Sequence, residues 1–306
     1  MTKQRVVCLV GPTGVGKSAV ALRLAERFGG EIINADSRQV FRAFPLITAQ
    51  PSPEEQSRCP HRLYGFLDTD ARFSAGAWGA QALRHIEQAA FPLLVGGTGL
   101  YLRALFDGIV DIPPIPEALL ARLTETCERE GSVALHHRLK ELDPVYAARI
   151  HANDRQRIVR ALCVYEATGK TFSWWHAQTP PPRDADVLRI GLRLPLDTLT
   201  PLLAKRIDVM IEAGAIEEAS AEYAVHPEGS LSGWSGIGCR ELHQHLEGRL
   251  SLDAARDLWI KNTRAYAKRQ LTWFNADGRI RWFGPNDGQD ILELVRVWHQ
   301  AARFPA

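Results

Sequence analysis

The sequence predicts an α/β fold: a parallel sheet flanked by helices, with an inserted all-helical subdomain. Three observations carry this. A β-branched apolar run over residues 5–10 enters a glycine-rich loop and then a helical pattern with Val20, Leu22, Leu24 and Phe28. A buried strand from Pro92 to Val95 runs into a second small-residue turn, Gly96-Gly97-Thr98-Gly99, and follows a helix that Ser74 could cap, so strands alternate with helices as in βαβ units. From Glu117 to about Thr168 the alternation stops and every strong periodicity is helical.

With 306 residues, 45% of them hydrophobic and 24% charged, the chain has the length and composition of one large or two modest globular domains, which excludes disorder. The longest strongly apolar stretches, Val6–Val10 and Phe91–Val95, fall far short of the roughly 18 residues of a membrane span. The start lacks a signal peptide's pattern, so a cytoplasmic protein without membrane attachment is expected. The five cysteines are scattered with no C-x-x-C pair, arguing against a disulfide framework or a zinc site. A net charge of +2 neither demands nor excludes a nucleic-acid partner, so any such surface must be local.

The elements follow in order. Gly29-Gly30 closes the first helix, and Glu31 to Ala35 reads as a second strand with Asp36 at its carboxyl end, where a carboxylate faces the ligand crevice of an open α/β sheet. Residues 42–72, with Pro45, Pro51, Pro53 and Pro60, read as a long loop with short strand pieces. The Ser74 helix extends through Ala90. The Pro-rich segments 112–116 and 179–182 bracket the helical insertion, expected over 112–186, between core segments 1–111 and 187–306. Val187 to Leu194 returns as a strand. Helices follow at about 198–213, 215–225, 238–247 and 251–274, then a short strand near 279–283 and a last helix from about 288.

Gly11-Pro12-Thr13-Gly14-Val15-Gly16-Lys17-Ser18 fits G-x-x-x-x-G-K-S, the P-loop. Its backbone N–H groups wrap phosphate oxygens, Lys17 brings a charge to them, and Ser18 offers a hydroxyl to Mg²⁺. Phosphate or pyrophosphate binding follows, but the reaction does not, since kinases, ATPases and GTPases share the loop. No strand ending in Asp-Glu, no Asn-Lys-x-Asp guanine reader and no arginine-rich lid accompany it, which lowers the weight of an ordinary NTPase.

Gly11 to Ser18, then Ala35-Asp36-Ser37-Arg38-Gln39-Val40-Phe41, then Val95 to Tyr101 with its Gly-Gly-Thr-Gly-Leu-Tyr, together resemble the tRNA dimethylallyltransferases. Asn153-Asp154-x-Gln156-Arg157-x-x-Arg160, Thr168-Gly169-Lys170, Arg206-x-x-x-Met210 and Thr263-Arg264-x-Tyr266-Ala267-Lys268-Arg269-Gln270 extend the likeness colinearly from residue 6 to about 274. The chain departs from that family's usual pattern at Gln50, where Lys is usual, at Arg62, where a second His is common, and at Cys239, which replaces a Tyr.

The resemblance implies transfer of a dimethylallyl group from dimethylallyl diphosphate to N6 of the adenosine at position 37, just 3′ of the tRNA anticodon, with release of diphosphate. It implies Asp36, Thr98 and Arg206 as catalytic residues, Gly11 to Ser18 as the pyrophosphate cradle, and Mg²⁺ near Ser18. Contacts to the anticodon stem-loop are implied for Asp36, Ser37, Arg38, Gln39, Gln156, Arg157, Arg160, Gly238, Arg240, Arg264, Lys268, Arg269 and Gln270. The chemistry is consistent: charge develops on the leaving pyrophosphate, which Lys17, Arg206 and a Thr98 hydroxyl could stabilise, while a carboxylate relieves the attacking amine of its proton. Asp36 is the candidate base, with Mg²⁺ binding or turn capping as its other readings; a solvated helix arginine is the other reading of Arg206, and a hydroxyl stabilising its own turn that of Thr98.

A base inside an anticodon loop must leave its stack to reach a pocket. Residues 256–281 carry seven basic side chains (Arg256, Lys261, Arg264, Lys268, Arg269, Arg279, Arg281) against Asp257 and Asp277, with Tyr266, Trp273 and Phe274 interleaved. That is either an RNA stripe or the solvated face of a long helix. The competing functions are an adenylate isopentenyltransferase acting on free AMP, ADP or ATP, and a P-loop nucleotide kinase or ATPase. The insertion and the basic stripe favour tRNA over a free nucleotide. A monomer is expected.

Overall fold

The computed structural model describes residues 4–301. The chain divides into two compact units, one running to Phe106 and resuming at Asp184, the other comprising Asp107–Arg183.

The first unit is built on six parallel strands in the order β3-β2-β4-β1-β5-β6: β1 (Gln4–Val10), β2 (Glu31–Asn34), β3 (His61–Arg62), β4 (Pro92–Gly96), β5 (Ala185–Leu192) and β6 (Arg281–Phe283). Strand β1 lies near the middle, covered on both faces, which is why it reads as an unbroken apolar run. Its period-two alternation sorts Val7 and Leu9 into one core, with Leu93, Ile190 and Leu24, and Val6, Cys8 and Val10 into the other, with Leu94, Trp78 and Ile86. Helix α1 (Lys17–Phe28) packs on the first face, and α3 (Ala75–Gln88), capped by Ser74 as expected, on the second with α4 (Gly99–Phe106).

Three readings of the sequence need correction. The stretch 42–72 contains α2 (Pro53–Arg58), whose Ser52 and Glu55 form a reciprocal capping box with Pro53 in the first turn. The Ser74 helix ends at Gln88, because Ala89 turns extended ahead of Phe91 and Pro92. Strand β5 spans Ala185–Leu192 and not 187–194, since it pairs with β1 from Ala185 opposite Gln4.

The helices after β5 are α10 (Leu196–Glu212), α11 (Ala215–Val225), α12 (Cys239–Leu246), the 24-residue α13 (Leu252–Asn275) and α14 (Gly288–Ala301). With the 40–47 loop, α10 to α13 close a third core of Phe44, Ile47, Ile207, Met210, Trp234 and Trp259.

The second unit is all helical: α5 (Glu117–Glu130), α6 (Ser132–Leu142), α7 (Pro144–Ala147), α8 (Arg155–Thr168) and α9 (Phe172–Ala177). It has its own core, with Leu123, Leu135, Leu139, Ile158 and Leu162 nearly inaccessible. Asp143, buried, caps α7 and also accepts the Ser173 N–H and hydroxyl, tying α9 to the bundle. The unit runs from 107 to 183, where 112–186 was expected; its entry and exit segments meet at Gly108, where a Cβ would stand 2.7 Å from the Pro180 carbonyl oxygen. All five cysteines of the protein are free and buried. Among the described residues no helix is long and apolar enough to cross a membrane.

Candidate active site

Strands β2, β4 and β1 are neighbours, so the segments leaving their carboxyl ends converge: Asp36 after β2, Gly97-Thr98 after β4 and the P-loop after β1. That crevice is where parallel α/β sheets place ligands. The loop reaches α1 through Gly16, held at φ +93°, a conformation that side chains with a Cβ rarely adopt. Lys17 is folded back on its own loop, donating to the carbonyl oxygens of Gly11 (3.0 Å) and Pro12 (2.8 Å). Burial lowers its pKa to about 8; Asp36 opposes that shift and Arg206 adds to it.

Asp36 is fixed by its neighbours. Its N–H donates to Asn34 Oδ1 (2.8 Å), the buried Asn34 amide donates to Asp36 O and Leu63 O, and Asp36 Oδ1 accepts the Arg38 N–H at 2.8 Å. The carboxylate therefore caps its own turn with one oxygen. Thr98 stands beside it: its Oγ1 accepts the Ser37 N–H at 3.0 Å and lies 3.3 Å from Ser37 Oγ, and its own N–H donates to Ala35 O.

Asp36 and Arg206 line one cavity of about 260 Å³ with Thr13, Arg38, Tyr266 and Arg269. Ile47, Leu203, Ile207, Met210, Ile237 and Trp259 give it an apolar wall. Burial pulls the Arg206 pKa down while Asp36 pulls it back, so this arginine is no solvated surface charge. Tyr266 is raised, first by burial and then by Asp36. The cavity thus joins a carboxylate, a desolvated guanidinium and an apolar wall beside the glycine-rich loop. It suits displacement at an apolar carbon attached to a diphosphate.

Ser18 is exposed in the first turn of α1 and borders a recess with Gln39, Glu55 and Tyr64. Among the described residues no cluster of three or more His, Cys, Asp or Glu could hold a metal. One hydroxyl, supplemented by phosphate oxygens and water, is a donor set that suits Mg²⁺.

The residues expected on the tRNA surface divide. Arg240, Lys268 and Arg269 are exposed, and Gln156, Arg157 and Arg160 lie exposed on α8 of the second unit. Arg264 is exposed but engages Thr200 and Asp197. Arg256 is drawn into a two-pronged pair with Asp208, which removes one charge from the expected basic stripe. Gln39 donates to Thr48 O and Ala49 O and so braces the cavity wall. Two members are not on the surface at all. Gly238 is buried, its N–H donating to Glu241, and a Cβ there would meet Trp259 at 2.6 Å. Gln270 is only 4% exposed, with both ends of its amide engaged inside the protein.

Sequence reasoning missed the apolar wall, because Ile47, Met210, Ile237 and Trp259 come from four separate segments that carry no shared motif. It also missed Glu218, whose carboxylate accepts the Leu46 and Ile47 N–H groups at 2.8 and 2.9 Å and anchors that wall.

The family model described as IPP transferase matches residues 39–277. The chain is 57% identical to a tRNA dimethylallyltransferase of Nitratidesulfovibrio vulgaris, with 94% of each chain covered. It is 52% identical to one of Lawsonia intracellularis, over 97% of this chain and 99% of that one. Among solved structures, the full-length tRNA isopentenylpyrophosphate transferase of Bacillus halodurans superposes with a TM-score of 0.72 at 32% identity, covering 98% of each chain. A eukaryotic dimethylallyltransferase acting on tRNA gives a TM-score of 0.77 at 29% identity, over 93% of this chain and 74% of that one. With likeness of this depth along nearly its whole length, the chain belongs to the IPP transferase family.

Proposed function

We propose that this chain transfers the dimethylallyl group of dimethylallyl diphosphate to N6 of the adenosine at position 37 of tRNA. The observation that carries this reading is the shared cavity of Asp36 and Arg206, apolar on one wall and bordered by the P-loop. The relatives named for tRNA support a tRNA acceptor over a free nucleotide and over phosphoryl transfer.

In the reaction the N6 lone pair forms a bond to C1 of the prenyl group. The C1–O bond breaks, its electrons pass to the bridging oxygen of the departing diphosphate, and the N6 proton passes to Asp36. Arg38 already occupies Oδ1, which leaves Oδ2 to take that proton. Lys17, once swung off the Gly11 and Pro12 carbonyls, and Arg206 meet the charge that grows on the diphosphate, and the Thr98 hydroxyl, once turned from Ser37 Oγ, donates to its bridging oxygen. Ser18 would hold Mg²⁺ together with diphosphate oxygens, and the ion would supply further charge neutralisation. The exposed cations Lys268, Arg269 and Arg240 contact phosphates of the anticodon stem-loop, and in the second unit Gln156, Arg157 and Arg160 stand exposed for tRNA contacts of their own. We assign the protein to the cytoplasm as a monomer.

The test is incubation of the protein with Mg²⁺, labelled dimethylallyl diphosphate and either an anticodon stem-loop bearing adenosine 37 or free AMP. Label on the stem-loop alone is expected. Label on AMP would move the function to free-nucleotide prenylation, and label on neither would return the P-loop to an NTPase role.

A further inference from the structure

Gln270 holds the two loops of the site at a fixed separation. Its Oε1 accepts the Thr13 N–H of the P-loop at 2.9 Å, and its Nε2 donates to Gly97 O of the second turn at 3.0 Å. The partners fix which end of the amide is which, since one offers only a proton and the other only lone pairs. The side chain is 4% exposed, so this buried amide has both its ends satisfied across the gap.

The fit allows little play. A Cβ on Gly97 would stand 1.9 Å from Gln270 Nε2, and one on Gly99 would stand 2.0 Å from Trp273 Nε1. Helix α13 therefore grips the second turn at two points one turn apart, and reaches the P-loop through one of them. Thr98 sits between Gly97 and Gly99, in the segment so gripped. Tyr266, one turn before Gln270, lines the cavity.

From this geometry we infer that Gln270 is a positioning residue: it sets the distance between the glycine-rich loop proposed to cradle the diphosphate and Thr98, the proposed donor to its bridging oxygen. The inference deepens the proposed function and rests on it for the role of Thr98. Only an amide serves both partners. A carboxylate would keep Thr13 but present lone pairs to the Gly97 carbonyl, and an aliphatic side chain would lose both.

The experiment compares Gln270→Glu, Gln270→Leu and each combined with Thr98→Ala. Melting curves establish that each variant folds. Calorimetry with inorganic diphosphate and Mg²⁺ reads the P-loop without turnover, and steady-state prenylation of the stem-loop reads kcat and KM for the donor. Gln270→Glu is expected to bind diphosphate within about threefold of wild type while kcat falls roughly a hundredfold, the scale of an ångström-sized misplacement. Gln270→Leu is expected to lose about tenfold in diphosphate affinity as well. Stem-loop affinity stays within about twofold for both. On a Thr98→Ala background, Gln270→Glu should cost little more, because the two act through one contact.

Wild-type kcat in Gln270→Glu, full additivity with Thr98→Ala, or a loss confined to stem-loop affinity would each overturn the inference, the last returning Gln270 to RNA binding. A wild-type protein that binds diphosphate but prenylates nothing would overturn the proposed function and the role of Thr98. The clamp would then stand or fall on whether Gln270→Leu, but not Gln270→Glu, weakens diphosphate binding.

Discussion

Asn34 and Asp36 hold each other reciprocally: the Asp36 N–H donates to Asn34 Oδ1 at 2.8 Å, and Asn34 Nδ2 donates to Asp36 O at 3.0 Å. The buried amide thereby sets where the carboxylate stands, and the two residues should separate in mutants. Asp36→Asn keeps an oxygen for the Arg38 N–H, so its melting temperature should stay near wild type while kcat for stem-loop prenylation falls by about 10² to 10⁴. Asn34→Leu strands the Leu63 carbonyl and frees the Asp36 turn, so it should lose about 2 to 4 kcal/mol in urea unfolding along with turnover. Near-normal kcat in Asp36→Asn would remove Asp36 as the base.

Lys17 should make donor binding sensitive to alkali. Burial lowers its pKa to about 8, so the ammonium is present below that value and is lost as pH rises through it. KM for dimethylallyl diphosphate should climb above pH 8, by up to about tenfold per pH unit until the bound complex also titrates. Lys17→Met should bind the donor weakly with no inflection in this range. An inflection that survives in Lys17→Met would assign it to another group.

Arg206 faces Asp36 in a desolvated setting, so its charge is worth more than on a surface. Arg206→Gln should lower kcat by roughly 10² to 10³. Arg206→Lys should recover only part of this, because a point charge cannot reproduce a planar fork. Filter binding should show stem-loop affinity unchanged in both; a variant defective only in stem-loop binding would mark Arg206 as an RNA contact.

Gly97→Ala should unfold more easily by about 1 to 3 kcal/mol, since its Cβ is driven into the Gln270 amide. Gly278→Ala, where a Cβ meets nothing within 4 Å, is the matched control and should retain full activity. Equal stability of the two variants, read by urea titration, would show that α13 yields at this contact.

Local signals made much of this protein legible. The glycine-rich loop announced itself by spacing, and the unbroken apolar run from Val6 to Val10 announced the strand that enters it, whose side chains divide between two cores. Helix α2 carried a local signal too, Ser52-Pro53 followed by Glu55, but the four prolines of residues 42–72 made the stretch read as loop and the capping box was missed. Gln270 was not: its partners are 257 and 173 residues away, so a motif could place it on α13 but could not say that it points inward. The apolar wall stayed hidden for the same reason, since it exists only once the 40–47 loop, α10 and α13 meet.

Strand β1 ends at Val10, and its neighbour β5 begins only at Ala185. On a ribosome adding roughly 5 to 20 residues per second, the two are born about 9 to 35 seconds apart. Through that interval one side of β1 has no strand to bond, while the helical unit, with a core of its own, emerges whole. The nascent chain thus carries an open β1 edge through much of its own synthesis, a row of backbone N–H and C=O groups free to pair with another strand until β5 arrives.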